Sequence, residues 1–280
     1  MAKYNHCPTH IYWDRVLLEF HRGASIRIWR AYMQKIYKRL ITDWLPEINS
    51  GLNLKTDLFE EAISSHHLLS ELGSESIGID CSLEMVTAAR ERLRSEGNSC
   101  LFVIGDLRRL PLKLGIIKSI LSGSSLDHFQ DKKDIEVSLA ELARVLMPGG
   151  TLVITFDNRH NPIVWLRNRL PFNWLSRLRL VPYYVGATYN RSEAYQNLQS
   201  LGFTITDMTT VAHAPRILAI WFVMLSEYLG WAPLQALIAR ILDAFEILKR
   251  WPTRYLTGYY IAIRAEKIDG YKALGFRHKS

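Results

Sequence analysis

The 280-residue chain reads as an α/β protein built on a Rossmann-like, mostly parallel sheet, and three observations predict it. Between Leu54 and Phe156 short apolar or β-branched runs alternate with segments of helical period, the pattern of a parallel sheet with helices on its faces. Acidic residues close successive strands, at Asp57, Asp80 and Asp106. The stretch "MPGGTLVITF" marks a junction where one helix stops and a strand begins.

Each element follows in order. Apolar residues at helical spacing from Ile11 to Leu45 predict an N-terminal helical cap over 1–50, ahead of an α/β domain over 51–280. Strands are expected at Leu54–Phe59, Ser76–Asp80, Cys100–Ile104, Ile117–Ser122 and Thr151–Phe156, with helices at His66–Leu72, Leu83–Glu96 and Asp134–Leu146 between them. Pro148 is expected to stop the last of these helices, and Gly149-Gly150 to supply the turn. Beyond Asp157 come a basic, lid-like segment over 159–191, a short helix Ser192–Leu201 and a strand Phe203–Val211 opened by Gly202. A helical insert over 212–255 precedes a last strand at Leu256–Ala265, making seven.

Composition narrows the function classes. Hydrophobic residues make up 48% of the chain, ample for a buried core. Cys7, Cys81 and Cys100 form no CxxC pair, which argues against a zinc site or disulfide framework and fits a reducing compartment. No metal site is expected. The first 20 residues lack the apolar region of a signal peptide, and the longest uncharged apolar run, Ile217–Leu225, is far below the roughly 20 residues that cross a bilayer. A cytoplasmic protein is the expectation. The net charge is +8, and between Arg159 and Arg191 six arginines stand with no acidic residue, interleaved with aromatics and leucines. This segment reads as a solvated basic face, a lid over an anionic or amphiphilic substrate, or a patch that rests peripherally on anionic membrane. No recognised nucleic-acid module is present, so nucleic acid is not the expected partner.

Four stretches carry a specific resemblance: "GIDCSLEMVTAARERL", "VIGDLRRLPL", "SLDHFQD" and "ELARVLMPGGTLVITFDNRHNP". In this order and spacing they resemble the successive motifs of class I S-adenosylmethionine-dependent methyltransferases, in the small-molecule branch called methyltransferase type 11. The resemblance covers Leu54 to Phe156 well and extends more weakly to Ala265. It implies a seven-stranded sheet with an antiparallel last strand, S-adenosyl-L-methionine as cofactor, and methyl transfer to O, N or C of a small or amphiphilic molecule. Asp80, followed by Cys81, would accept hydrogen bonds from the ribose; the alternative is that Asp80 only caps the helix starting near Ser82. Asp106 would accept from the adenine amino group and the Leu107 N–H would reach the ring. Ser122 and Ser124 would leave room for the methionine part. Asp127 and His128 are the candidate catalytic pair, with His128 either a general base or a residue packed against the cofactor loop. His213 is a second histidine candidate.

The first turn departs from the family. Where glycines are usual, this chain has "TDLFEEAISSHH". Asp57 matches the strand-end acid, Glu60 or Glu61 could accept from the cofactor's amino group, and Ser64 or Ser65 stands where a helix would begin and offer backbone donors. A glycine-free turn leaves a second reading open: a catalytically inactive protein that keeps the methyltransferase fold for binding or scaffolding. An NAD-linked oxidoreductase is a third, against which the missing GxGxxG fingerprint weighs.

Overall fold

The structure, a computed structural model, describes residues 10–22, 26–45, 51–64, 67–177 and 184–268. Helices α1 (His10–Arg22) and α2 (Arg27–Trp44) precede strand β1 (Asn53–Thr56). Then come α3 (Phe59–Ile63), β2 (Ser76–Asp80), α4 (Leu83–Ser95), β3 (Leu101–Ile104), β4 (Ile117–Gly123), α5 (Lys132–Val145) and β5 (Leu146–Asp157). Helices α6 (Pro162–Arg169), α7 (Phe172–Arg177) and α8 (Arg191–Ser200) lead to β6 (Phe203–Val211). Helices α9 (Arg216–Leu229), α10 (Ala232–Phe245) and α11 (Arg254–Thr257) lead to β7 (Tyr260–Lys267).

The seven strands form one sheet in the order β3-β2-β1-β4-β5-β7-β6. All neighbours pair in parallel except β7, which lies antiparallel between β5 and β6, so the last strand runs as expected. The strand order reverses between β1 and β4, where Thr56 stands opposite Ser122. Ligands of open α/β sheets bind outside the carboxyl ends of the strands at such a switch point.

Local sequence explains most boundaries. Ser82 caps α4 by accepting from the Met85 N–H at 3.0 Å. Asn161 caps α6 and Pro162 occupies its first turn, where a missing N–H costs nothing. Asn190 and Glu193 form a capping box on α8. One sheet face packs against α5 and α8 through Ile135, Leu139, Leu142 and Leu198. The other buries Val153 and Ala262 with side chains of α2, α9 and α10, including Tyr32, Ile36, Val223 and Leu242. The insert therefore packs on the N-terminal helices.

Four expectations are corrected. The helix expected from His66 is a single 3-10 turn, Ser70–Leu72, with Ser65 and His66 outside the described residues. A real helix, α3, instead starts at Phe59 inside the region expected to extend β1, so Ser64 ends a helix rather than starting one and gives its N–H to Glu60 O. The Pro148-Gly149-Gly150 turn is a bulge within β5: Ile117 pairs with Leu146 and Ser119 with Thr151, with Gly149 at φ 71°. Leu256 and Thr257 belong to α11, so the final strand starts at Tyr260.

Two non-glycine residues hold left-handed backbone on either side of the switch point, Asp57 at φ 69° and Ser124 at φ 53°. Asp57 thus adopts the conformation that a glycine of the usual turn would supply, against a steric cost of about 1–2 kcal/mol for an L residue. Asp57→Gly and Asp57→Ala both delete the carboxylate, but only glycine relieves the strain. In urea unfolding, Asp57→Gly should be the more stable of the two by about 1 kcal/mol. Equal stabilities would show that the turn is not strained.

Candidate functional site

Lys55 sits mid-strand in β1, a segment buried along its length, and its ammonium needs a partner. It finds Glu61 of α3 at 2.9 Å and the Asp57 carbonyl at 2.6 Å, with the Asp57 carboxylate at 3.8 Å. The other oxygen of Glu61 accepts from the N–H groups of Leu68 and Leu69, at 3.2 and 3.0 Å. Glu61 is fully buried and spent within the protein, so the structure does not present it to a cofactor amino group.

Asp80 ends β2 beside this turn. Its two oxygens accept from Leu58 N–H and Ser82 N–H, each at 2.9 Å, which fixes the carboxylate beside the first turn. Cys81 lies between Asp80 and its cap, where burial and the Asp80 and Asp106 charges push its thiol pKa up. Asp57 turns back to accept from Phe59 N–H at 2.8 Å. Desolvation raises the carboxyl pKa of Asp57, and with the Asp57 charge it raises that of Asp80 to about 6. Desolvation lifts Glu60 to about 7, although Arg30 opposes it. Three carboxyls therefore crowd one end of the crevice.

Across the switch point, Thr56 Oγ1 bonds Ser122 Oγ at 2.9 Å and Ser125 Oγ at 2.7 Å, stitching the ends of β1 and β4 together. Ser122 is fully buried. The Ser124 N–H donates to Thr155 Oγ1 at 2.9 Å, and Tyr37 of α2 brings its hydroxyl to the same oxygen at 3.1 Å. Burial pushes the Tyr37 phenol up to about 12, so it stays neutral. The third strand ends at Ile104, so Asp106 stands two residues beyond it instead of closing it, half-exposed and gripped by Arg108 with contacts of 2.6 to 3.1 Å. Desolvation acts upward on its pKa, but the Arg108 bonds hold it below the usual carboxylate range. Leu107 follows, its side chain packed against the core.

Asp127 and His128 do not act on one another as a pair: each is bound elsewhere. Asp127 is buried and accepts from Asp157 N–H at 2.9 Å, and desolvation beside the Asp157 carboxylate raises its pKa well above the ordinary value. Asp157 is the counterion of buried Arg167, whose other arm donates to Tyr259 OH at 2.7 Å. His128 meets the Tyr184 carbonyl through Nδ1 at 2.9 Å. A carbonyl only accepts, so Nδ1 carries the proton. Desolvation drops the imidazole pKa to about 4, against the pull of that carbonyl. His213 is locked between Thr257 Oγ1 and Thr210 O and stays structural.

Helix α1 roofs this end of the sheet. Asp14 accepts from Ser82 Oγ at 2.5 Å, Trp13 stands edge-on to His128 at 4.7 Å, and Phe20 meets Phe59 of α3 at 4.8 Å. Sequence reasoning missed Lys55, Tyr37, Thr155 and Arg167. One signal was present: a lysine inside a short strand with acids at i+2 and i+6 demands an internal partner.

The methyltransferase domain family matches residues 63–154. Over 79 residues, 28% of this chain, the sequence is 43% identical to an uncharacterized 37.1 kDa protein in transposon TN4556 of Streptomyces fradiae. Over 82 residues, 29% of this chain, it is 33% identical to a demethylmenaquinone methyltransferase of Thermus thermophilus. The chain spans 21% and 36% of the length of these two curated relatives. Among solved structures, it superposes on geranyl diphosphate C-methyltransferase from Streptomyces coelicolor A3(2) with a TM-score of 0.55 at 14% identity, covering 95% of this chain and 86% of that one. The strand order and these matches agree: the chain has the fold of class I, S-adenosylmethionine-dependent methyltransferases, and its residues 63–154 match the methyltransferase domain family.

Proposed function

We propose that the protein is an S-adenosylmethionine-dependent methyltransferase that moves a methyl group to O, N or C of a small or amphiphilic acceptor. The observation that carries this reading is the pair of left-handed residues, Asp57 and Ser124, facing each other across the switch point beside the Asp80 carboxylate. Backbone strain of about 1–3 kcal/mol per residue persists where the surrounding structure serves a purpose. The similar proteins named above for demethylmenaquinone and geranyl diphosphate support a small acceptor.

The residues fit the cofactor. Asp57, Glu60 and Asp80 crowd one end, where burial first and mutual repulsion second raise their pKa values, an environment that favours a cationic neighbour. A ligand carrying a sulfonium and an ammonium supplies one. Asp80 would hold the ribose, Asp106 and the Leu107 N–H the adenine, and the small loop Ser122–Ser125 the methionine part. When bound, S-adenosylmethionine supplies an electrophilic methyl group open to in-line displacement, so orientation carries much of the rate. Tyr37, fixed on Thr155, and the small loop shape the far wall. His128 is neutral at physiological pH with its Nδ1 proton committed, so it holds the Tyr184 segment over the site. Its low basicity suits an acceptor that needs little help in losing a proton.

One observation favours a second reading, a protein that binds without transferring: Glu61 is consumed by Lys55 and two N–H groups. Product formation in a broad acceptor screen separates the two.

Calorimetric titration should show binding of S-adenosylmethionine and of its demethylated product, and Asp80→Ala should weaken both roughly tenfold to a hundredfold, the scale of a charged hydrogen bond. Absence of binding by the native protein rejects the proposal, and an unchanged affinity in Asp80→Ala rejects the ribose role.

His128 gives a separate pH test. Its folded pKa of about 4 lies below the 6.5 of an ordinary histidine, so between those values the unfolded chain holds more protons. The associated stability is full above that window and drains away as pH falls through it. His128→Asn keeps a side-chain N–H for the Tyr184 carbonyl and cannot titrate. Its stability should therefore fall less steeply below pH 6.5 than that of the native protein, by about one proton in slope. Parallel curves would show that His128 is not held neutral.

A further inference from the structure

Helix α9 buries only Ala219, Val223 and Ser226, one narrow seam of small side chains. Most of its other side chains are apolar and exposed: Leu218 is 59% exposed, Trp221 60% and Tyr228 88%. Helix α10 continues the face with Leu237 and Ile241, and Trp231 stands at the turn between them. No charged residue occurs from Ile217 to Ser226. An exposed apolar face of this extent on a soluble fold marks an interaction site.

The charges around it identify the partner. The segment 215–256 contains three acids, and each is drawn in toward the body of the protein. Glu227 accepts from the Ile28 N–H at 3.0 Å, Asp243 pairs with Lys35 at 2.7 Å, and Glu246 takes the Tyr32 hydroxyl and the His213 N–H. The cations Arg240, Lys249 and Arg250 remain on the exposed side. The outward face thus presents tryptophan, tyrosine, leucine and phenylalanine beside exposed cations, and of the three carboxylates Asp243, 40% exposed, is paired with Lys35. A second patch adjoins it. Arg167 of α6 and Arg216 at the start of α9 lie 5.7 and 5.0 Å from the Tyr259 ring, so the two helices meet there. From α6, Trp165 is exposed with the Arg169 guanidinium 3.9 Å over its ring.

We propose that the α9–α10 hairpin, with Trp165 beside it, docks the protein on the surface of an anionic phospholipid bilayer. Aromatic rings settle at the headgroup level, leucine and phenylalanine enter the acyl boundary, and arginine and lysine meet lipid phosphates. At 14 residues α9 is about 21 Å long, short of the roughly 30 Å hydrocarbon core, so the hairpin lies on the membrane instead of crossing it. No helix among the described residues is long and apolar enough to span. Helix α9 leaves the sheet at the carboxyl end of β6, the end at which the crevice opens. Docking therefore does not depend on the methyltransferase reading, but it places the crevice mouth near the lipid.

Co-sedimentation of the full chain with phosphatidylcholine vesicles containing phosphatidylserine tests this, against phosphatidylcholine alone and at low and high salt. The protein should pellet with the anionic vesicles and be released by salt. Trp221→Ser/Leu225→Ser should lower partitioning at least about tenfold while leaving the thermal midpoint unchanged, because both side chains are exposed. Arg240→Glu/Lys249→Glu should lose binding to the anionic vesicles by a similar factor without touching the apolar face. Failure to bind at low salt overturns the proposal, as does binding indifferent to both variants. A dimer that Trp221→Ser/Leu225→Ser converts to monomer, with no vesicle binding, assigns the face to a second copy of the chain and overturns it as well.

Discussion

The buried contact between Lys55 and Glu61 governs the first turn and, through it, the crevice. An ammonium that is 4% exposed and a carboxylate that is fully buried would each cost several kcal/mol alone. Together they are tolerable because each also makes further hydrogen bonds. Lys55 also donates to the Asp57 carbonyl, and Glu61 also accepts from Leu68 and Leu69. One ion pair thereby joins the central strand, the five-residue α3 and the chain leading to Ser70–Leu72. Losing either partner leaves an unpaired buried charge, a penalty of about 3–5 kcal/mol. This clamp explains how the turn dispenses with glycine. The lysine pins the carbonyl of Asp57, and the aspartate's own carboxylate caps the Phe59 N–H, so an L residue is held at φ 69° by contacts on both sides.

A second buried centre stands on the other half of the sheet, and its sign is opposite. Around β1 and β2 the carboxyls of Asp57, Glu60 and Asp80 are desolvated and repel one another, and their pKa values rise. Around β5 and β7, Arg167 and Arg216 bracket the Tyr259 ring, with Asp157 as the carboxylate bound to Arg167. Asp127, beside Asp157, is pushed toward its neutral form. The sheet thus carries a carboxylate-rich group beside β1 and β2 and an arginine-bearing group beside β5 and β7.

The fold was largely legible because it rests on local patterning. The alternation from Ser76 to Phe156 gave β2, α4, β3, β4 and α5 to within a few residues, since helix period and strand runs are properties of neighbouring side chains. The strand-end position of Asp80 was legible for the same reason. The errors share a different cause. "LTGYYIAIRA" has strand composition from its first residue, yet Thr253 to Gly258 are held by hydrogen bonds to distant groups, including Thr210 and Asn158, and form a helical turn. The glycines at 149 and 150 looked like a turn, but pairing with β4 absorbs them as a bulge. Glu61 looked like a ligand because the one local signal against it, a lysine six residues earlier inside a strand, went unread. Tyr37 and Arg167 reach the site from elements far from it in sequence, which no local pattern reports.

Helix α2 connects these regions. On one side it sends Tyr37 to Thr155 at the crevice, where the ring fills the space that a side chain on Gly123 would need, its Cε1 lying 3.0 Å from such a Cβ. On the other, the same helix and the residues around its start take up the acids of the insert through the Ile28 N–H, Lys35 and the Tyr32 hydroxyl. The inward acids thus do two things at once. They pair the negative charge of α9 and α10 with groups of α2 and the His213 N–H, and they fasten the insert to the helix that shapes the crevice. Ile36 and Leu40 of α2 pack in the core shared with the insert, so one 18-residue helix carries both the bonds to the insert and the Tyr37 contact at the switch point.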